Sequence, residues 1–81
     1  MDACRIGVIG IGNMGSAHAR SLWEGRVPGM RLTAVCDIKE PRRRWAAETL
    51  PGVTVYDDFT ALLDSGETDG VIIATPHGLH P

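Results

Sequence analysis

Residues 5–15 read RIGVIGIGNMG, and this stretch decides the architecture of the chain. An apolar run of Ile6, Val8 and Ile9 leads into Gly10-x-Gly12-x-x-Gly15, and a helix-forming segment follows at once. Each glycine has its own physical task in such a strand-to-helix turn. The first permits a tight bend out of the strand, and the second lets main chain come close to a diphosphate. The third lets the new helix pack on the sheet. An anion placed there meets unpaired N–H groups and a partial charge of about +0.5 at the helix start. In a chain with ten glycines the pattern alone also fits an ordinary turn, so its context carries the weight.

That context is a regular alternation of strand and helix. The first strand is expected at 5–9. A helix follows at 13–24, with Met14, Ala17, Ser21 and Leu22 at helical spacing and Gly25 and Pro28 stopping it. RLTAVCD at 31–37 reads as the second strand. The second helix opens near Pro41, a favoured first-turn residue, and sets Trp45, Ala46 and Leu50 on one side before Pro51-Gly52. A short third strand at 53–56 alternates Val53 and Val55 with Thr54 and Tyr56. The third helix starts after an Asp57-Asp58 cap and is expected to bury Phe59, Leu62 and Leu63. The fourth strand, at 70–74, is apolar without alternation.

Alternation at this spacing implies right-handed βαβ units and a parallel sheet covered by helices. The expected class is α/β, a doubly wound parallel sheet with strand order 3-2-1-4. The short alternating third strand suits an edge. The fourth strand is also an outer strand in that order, yet its composition reads as interior. The sheet is therefore expected to be incomplete at the strand 4 edge, with a neighbour from residues after Pro81 or from a second copy. On this reading residues 1–81 are the N-terminal part of a longer domain.

Composition narrows the function classes. Eighty-one residues allow one small domain, which buries about 60–65% of its unfolded surface. Hydrophobic residues make up 43% and charged residues 22%, as in an ordinary soluble domain. A net charge of −2 gives no electrostatic footprint for nucleic acid or an anionic membrane. No apolar run approaches the ~20 residues of a membrane span, and no signal-peptide layout opens the chain. A cytoplasmic location is the expectation. Cys4 and Cys36 fall at opposite ends of neighbouring strands, too far apart for a disulfide, so both are expected reduced.

A second motif strengthens the first. An acidic residue is called for at the end of the second strand, about 20 positions past the glycines. Asp37 lies there, 22 residues after Gly15. Its carboxylate suits the two hydroxyls of an adenosine ribose and repels a 2′-phosphate, which favours NAD over NADP. The alternative is a plain turn residue. Lys39 and Arg42–Arg44 are cations that could compensate a 2′-phosphate, or simply form the solvated start of a helix.

GVIGIGNMGSAHARSL, LTAVCD and VYDDFTALLDSGETDGVIIATPHGLHP together closely resemble the N-terminal Rossmann domain of the glucose–fructose oxidoreductase/inositol dehydrogenase/MocA family. The resemblance runs over essentially the whole chain, and the TPHGLHP tail makes it specific. It implies an NAD(P)-dependent oxidoreductase acting on a sugar, inositol or related polyol. A substrate domain that often builds a homo-oligomer would lie outside this chain.

Carried over by position, Gly10, Ile11, Gly12, Asn13, Met14 and Gly15 resemble the pyrophosphate turn. Asp37 resembles the ribose ligand, with Ile38 beside the adenine. Thr75, Pro76 and His77 resemble the loop lining the ribose and nicotinamide side, and His80 matches a recurrent histidine of the family's tail. The family's Glu-Lys-Pro motif and its substrate-facing Asp and His are absent, so no catalytic residue is assigned.

Other readings stay open. A truncated, non-catalytic NAD-binding or interaction module fits the same residues, and an S-adenosylmethionine-dependent methyltransferase fits the glycine turn less well. A P-loop is excluded because no Gly-Lys-Ser/Thr follows the glycines. His77 and His80 are three apart, but no Cys, Asp or Glu nearby completes a metal-ligand set. His18, Trp23 and Trp45 read as packing residues.

Overall fold

The computed structural model describes residues 4–74, apart from the side chain of Asn13. Among these, four strands and three helices alternate: β1 (Cys4–Ile9), α1 (Asn13–Trp23), β2 (Met30–Cys36), α2 (Glu40–Thr49), β3 (Thr54–Tyr56), α3 (Phe59–Asp64) and β4 (Gly70–Ile73). All pairings are parallel, in the order β3-β2-β1-β4. This is the order expected from the strand compositions. Parallel neighbours need crossovers, and each helix supplies one.

The sheet buries residues on both faces, as alternating side chains require. On one face Ile6, Val8, Leu32 and Val35 pack with Ala19 and Leu22 of α1 and Ala46 and Leu50 around α2. On the other, Ala34 and Cys36 pack with Leu62 of α3. Leu32 and Val35 share a face although they are three residues apart. The register explains this: Ile6 pairs with Leu32 but Gly7 pairs with Ala34, so Thr33 is an extra residue in β2. The bulge turns Thr33 so that its hydroxyl donates to the Glu67 carbonyl oxygen at 2.8 Å. That contact lashes β2 to the segment leading into β4.

Two helix faces differ from the periodicity reading. In α1 the buried positions are Gly15, Ala19 and Leu22, whereas Met14, Ala17 and His18 are exposed. The expected packed histidine is therefore a surface residue. Gly15 moves the buried stripe by one position because it is the residue that touches the strand end. In α3 only Leu62 is buried, and Phe59 and Leu63 are 55% and 49% exposed. A helix of six residues presents little more than one turn to the sheet, and one residue fills the contact. Trp45 packs against the core as expected. Trp23 is 42% exposed and ties the end of α1 to the turn after α2 instead, donating its Nε1–H to the Pro51 carbonyl oxygen at 3.2 Å.

The amino ends of β1 and β4 are joined by a charged clamp. Arg5 donates through Nε and Nη2 to the two carboxylate oxygens of Asp69, and its main-chain N–H also reaches Asp69 Oδ2. Along β4, Val71 and Ile72 are half-buried and Ile73 is exposed. Cys36 is buried and opposite Ile9, five residues along β1 from Cys4, and both cysteines are free. Burial, with Asp37 beside it, pushes the Cys36 thiol pKa up.

Candidate nucleotide site

The carboxyl ends of β1 and β2 meet the start of α1, and three glycines shape that junction. Gly10 has φ +89°, a left-handed conformation that disfavours any side chain, and its N–H donates to the Cys36 carbonyl oxygen at 2.7 Å. Gly15 lies against the turn so closely that a Cβ would stand 1.7 Å from the Gly10 carbonyl oxygen. These two glycines are demanded by the fold itself.

Gly12 is different. It is the N-cap of α1, with φ −72° and ψ −152°, extended backbone without the positive φ of Gly10. The atoms nearest to a Cβ there would be those at the end of the Arg42 side chain, with Nη1, Cζ and Nη2 at 3.1–3.4 Å. Neither a positive φ nor a main-chain clash of the Gly15 kind calls for a glycine at this position. Bare main chain at the head of α1 suits the close approach of a ligand. The N-cap, Gly12, has no side chain to cap α1, and no acidic residue occupies the first turn, so no carboxylate of the helix itself offsets its positive end.

Asp37 follows β2 and turns inward; it is 5% exposed. Its Oδ2 accepts the Ile11 N–H at 2.9 Å, and its Oδ1 accepts the Lys39 N–H at 2.8 Å. A buried carboxylate is tolerated when it is paired and hydrogen-bonded, and Arg42 Nη1 supplies an ion pair 3.6 Å from Oδ2. Each carboxylate oxygen has a second acceptor direction, so ribose hydroxyls can still donate to it. Arg43 Nη1 donates to the Asp37 carbonyl oxygen at 2.9 Å, fixing the chain as it enters α2. Beside this, Ile38 is 81% exposed, an apolar surface next to the carboxylate.

The structure thus brings Gly10, Ile11, Gly12, Gly15 and Asp37 to one junction, with Met14 exposed on the first turn of α1. The Asn13 side chain and Thr75, Pro76, His77 and His80 lie outside the described residues. Ala74, just before them, reaches the same place: its N–H donates to the Ile9 carbonyl oxygen at 2.8 Å. Its Cβ stands 3.3 Å from where a Gly15 Cβ would lie. Sequence reasoning did not foresee that Asp37 would brace the glycine turn through Ile11, nor which cation would sit on Asp37. A shallow groove between α2 and β3, lined by Glu40, Arg43, Arg44, Ala47, Val55, Tyr56 and Asp57, shares no residue with the junction.

Comparison with known proteins agrees with this geometry. The profile of a family described as an oxidoreductase family with an NAD-binding Rossmann fold matches residues 4–81. Inositol 2-dehydrogenase from Pseudarthrobacter chlorophenolicus is 37% identical over 79 residues, covering 98% of this chain and 23% of the relative. Inositol 2-dehydrogenase from Rubrobacter xylanophilus is 41% identical over 75 residues, covering 93% and 21%. A crystal structure of scyllo-inositol dehydrogenase from Lactobacillus casei, with bound cofactor NAD(H) and scyllo-inositol, superimposes with a TM-score of 0.83. It shares 29% identity and covers 98% of this chain and 23% of that one. The chain spans about a quarter of the length of the relatives it matches. It belongs to the glucose–fructose oxidoreductase/inositol dehydrogenase/MocA oxidoreductase family and forms part of its NAD-binding Rossmann fold.

Proposed function

We propose that this chain holds NAD at the head of α1, as the cofactor-binding part of an oxidoreductase acting on inositol, a sugar or a related polyol. Gly12 is the observation that carries the reading. It has neither the positive φ of Gly10 nor the main-chain clash of Gly15, and the Arg42 guanidinium lies beside both this position and the Asp37 carboxylate. In this proposal Gly10–Gly15 receive the diphosphate through main chain and the helix dipole. Asp37 accepts from the adenosine ribose, and Ile38 gives the adenine an apolar face. Thr75, Pro76, His77 and His80 are assigned to the nicotinamide side. When bound, the nicotinamide supplies the hydride chemistry, and the protein's task is to bind and orient it.

The substrate class rests on the relatives, whose names specify inositol dehydrogenases. Substrate contacts and any oligomer interface are assigned to a second domain outside residues 1–81. A cytoplasmic setting is part of the same proposal. Calorimetric titration of the full-length protein tests the reading: NAD should bind, and S-adenosylmethionine should not. No heat with NAD, or tighter binding of S-adenosylmethionine, contradicts it. NAD binding without turnover of any polyol would favour a non-catalytic module.

A further inference from the structure

We propose that Glu67, in the loop before β4, is a positioning residue for the nucleotide: it holds Tyr56, and through Tyr56 the main chain of Asp37. The inference rests on the nucleotide reading above. β3 is a slender support for that site. It is three residues long, and β2 is its one neighbour in the sheet. A short edge strand with so few contacts opens easily. Its last residue nevertheless matters to Asp37, because the Tyr56 carbonyl oxygen accepts the Asp37 N–H at 3.2 Å. The same Asp37 accepts the Ile11 N–H of the glycine turn. Where β3 ends therefore fixes where Asp37 begins.

Glu67 supplies what the edge lacks. Thr54 and Tyr56 are two apart in β3 and so share one face of the sheet. The Glu67 carboxylate accepts from both: Thr54 Oγ1 donates to Oε2 at 3.0 Å, and the Tyr56 hydroxyl donates to Oε1. One carboxylate thus spans the strand from its first residue to its last, with the strength that a charged acceptor gives. Glu67 is anchored in turn. The Thr33 hydroxyl donates to its carbonyl oxygen at 2.8 Å, and its own N–H donates to Ser65 Oγ at 3.1 Å. The Tyr56 ring packs against the cluster of Ala34, Cys36 and Leu62, next to the residue that precedes Asp37. Hydrogen bonding to Glu67 pushes the Tyr56 phenol pKa up, which keeps the hydroxyl a donor. A continuous path then runs from the bulge at Thr33 through Glu67 and Tyr56 to Asp37 and Ile11.

Two measurements on the full-length protein test this, the calorimetric dissociation constant for NAD and amide hydrogen exchange by NMR. Tyr56→Phe and Glu67→Ala should each weaken NAD by about 3- to 10-fold, the size of coupling expected for a residue that acts through another. Glu67→Gln keeps an acceptor for the Tyr56 hydroxyl and should recover most of that loss. In both weakened variants the Asp37 and Ile11 amides should exchange faster while the Val8 amide, in the centre of β1, keeps its protection. Trp23→Phe is the control. It also removes one long-range side-chain hydrogen bond, to Pro51, but has no path to Asp37, so its NAD affinity should stay within about twofold of wild type. If Glu67→Ala does not fold, Tyr56→Phe decides the matter alone. NAD affinity unchanged in Tyr56→Phe overturns the proposal, and so does an equal loss in Trp23→Phe. A loss without faster exchange at Asp37 and Ile11 also overturns it. A wild type that does not bind NAD sinks the nucleotide reading itself.

Discussion

The Gly10 carbonyl oxygen stands 1.7 Å from where a Cβ on Gly15 would lie, so no larger residue fits at position 15, while Gly10 is held by its own φ of +89°. Gly15→Ala forces main chain, not a mobile side-chain tip, to move. Overpacking of that kind costs about 1–3 kcal/mol, and more where backbone must shift. Urea unfolding should show the variant destabilised by about 3 kcal/mol or failing to fold. A loss under about 0.5 kcal/mol would mean that the helix is not seated on the strand end as described.

Gly12→Val separates binding from folding. The nearest atoms to the added Cβ belong to the Arg42 guanidinium, the far end of a flexible side chain that can swing aside. Stability should stay within about 1 kcal/mol of wild type. NAD affinity should nevertheless fall by about 10-fold or more, because the valine covers main chain that a diphosphate would approach. Unchanged NAD affinity would remove Gly12 from the site.

Asp37→Ala should cost both stability and binding. It deprives the Ile11 and Lys39 N–H groups of their acceptor, and a buried unsatisfied donor costs about 1–3 kcal/mol. Asp37→Asn keeps an acceptor oxygen and should lose less stability. It also removes the charge that disfavours a 2′-phosphate, so its NAD/NADP affinity ratio should fall. Calorimetry and urea midpoints read the two effects separately, and a ratio that stays at the wild-type value contradicts the assignment of Asp37 to the ribose.

Much of this was legible in the sequence for a physical reason. Strand character, glycine spacing and an acidic residue after the second strand are local signals, and they carried the order 3-2-1-4, the turn and Asp37. What escaped were choices made by three-dimensional neighbours. The bulge at Thr33 depends on what β1 offers as a partner. Phe59 and Leu63 have helical periodicity toward the sheet, yet Leu62 alone fills the contact of the short α3, while Gly15 shifts the buried stripe of α1 away from Met14 and His18. Three consecutive arginines look alike in sequence, and only their positions around Asp37 tell them apart.

The packing correction is itself testable. Leu62 is fully buried and Gly7 is pressed against it, with a Gly7 Cβ only 3.1 Å from Leu62 Cδ2. Leu62→Ala should cost about 2–5 kcal/mol. Phe59→Ala and Leu63→Ala should each cost under about 1 kcal/mol, as exposed positions do. Comparable losses at all three positions in urea unfolding would restore the wider apolar face.

Acid should weaken the clamp at the other end of the sheet. Arg5, first through its guanidinium hydrogen bond and then through its main-chain N–H, holds the Asp69 carboxyl pKa below its ordinary value of 3.8. A carboxylate with a lowered folded-state pKa adds stability that is complete above its unfolded pKa and disappears as pH falls through the folded value. The gap in urea midpoint between wild type and Asp69→Asn should therefore be wider at about pH 7 than at about pH 2.5. An equal gap at both would show that the charge of Asp69 contributes nothing.

The central claim is that a dinucleotide lies on the main chain at the head of α1, with Asp37 beside it. Amide chemical shifts of the full-length protein, followed by NMR during a titration with NAD, test this most directly. The account predicts the largest movements at Gly10–Gly15 and Asp37–Ile38, with Arg42 close behind. Saturable movements confined elsewhere, such as the α2–β3 groove around Tyr56, or no movement at all, would contradict it.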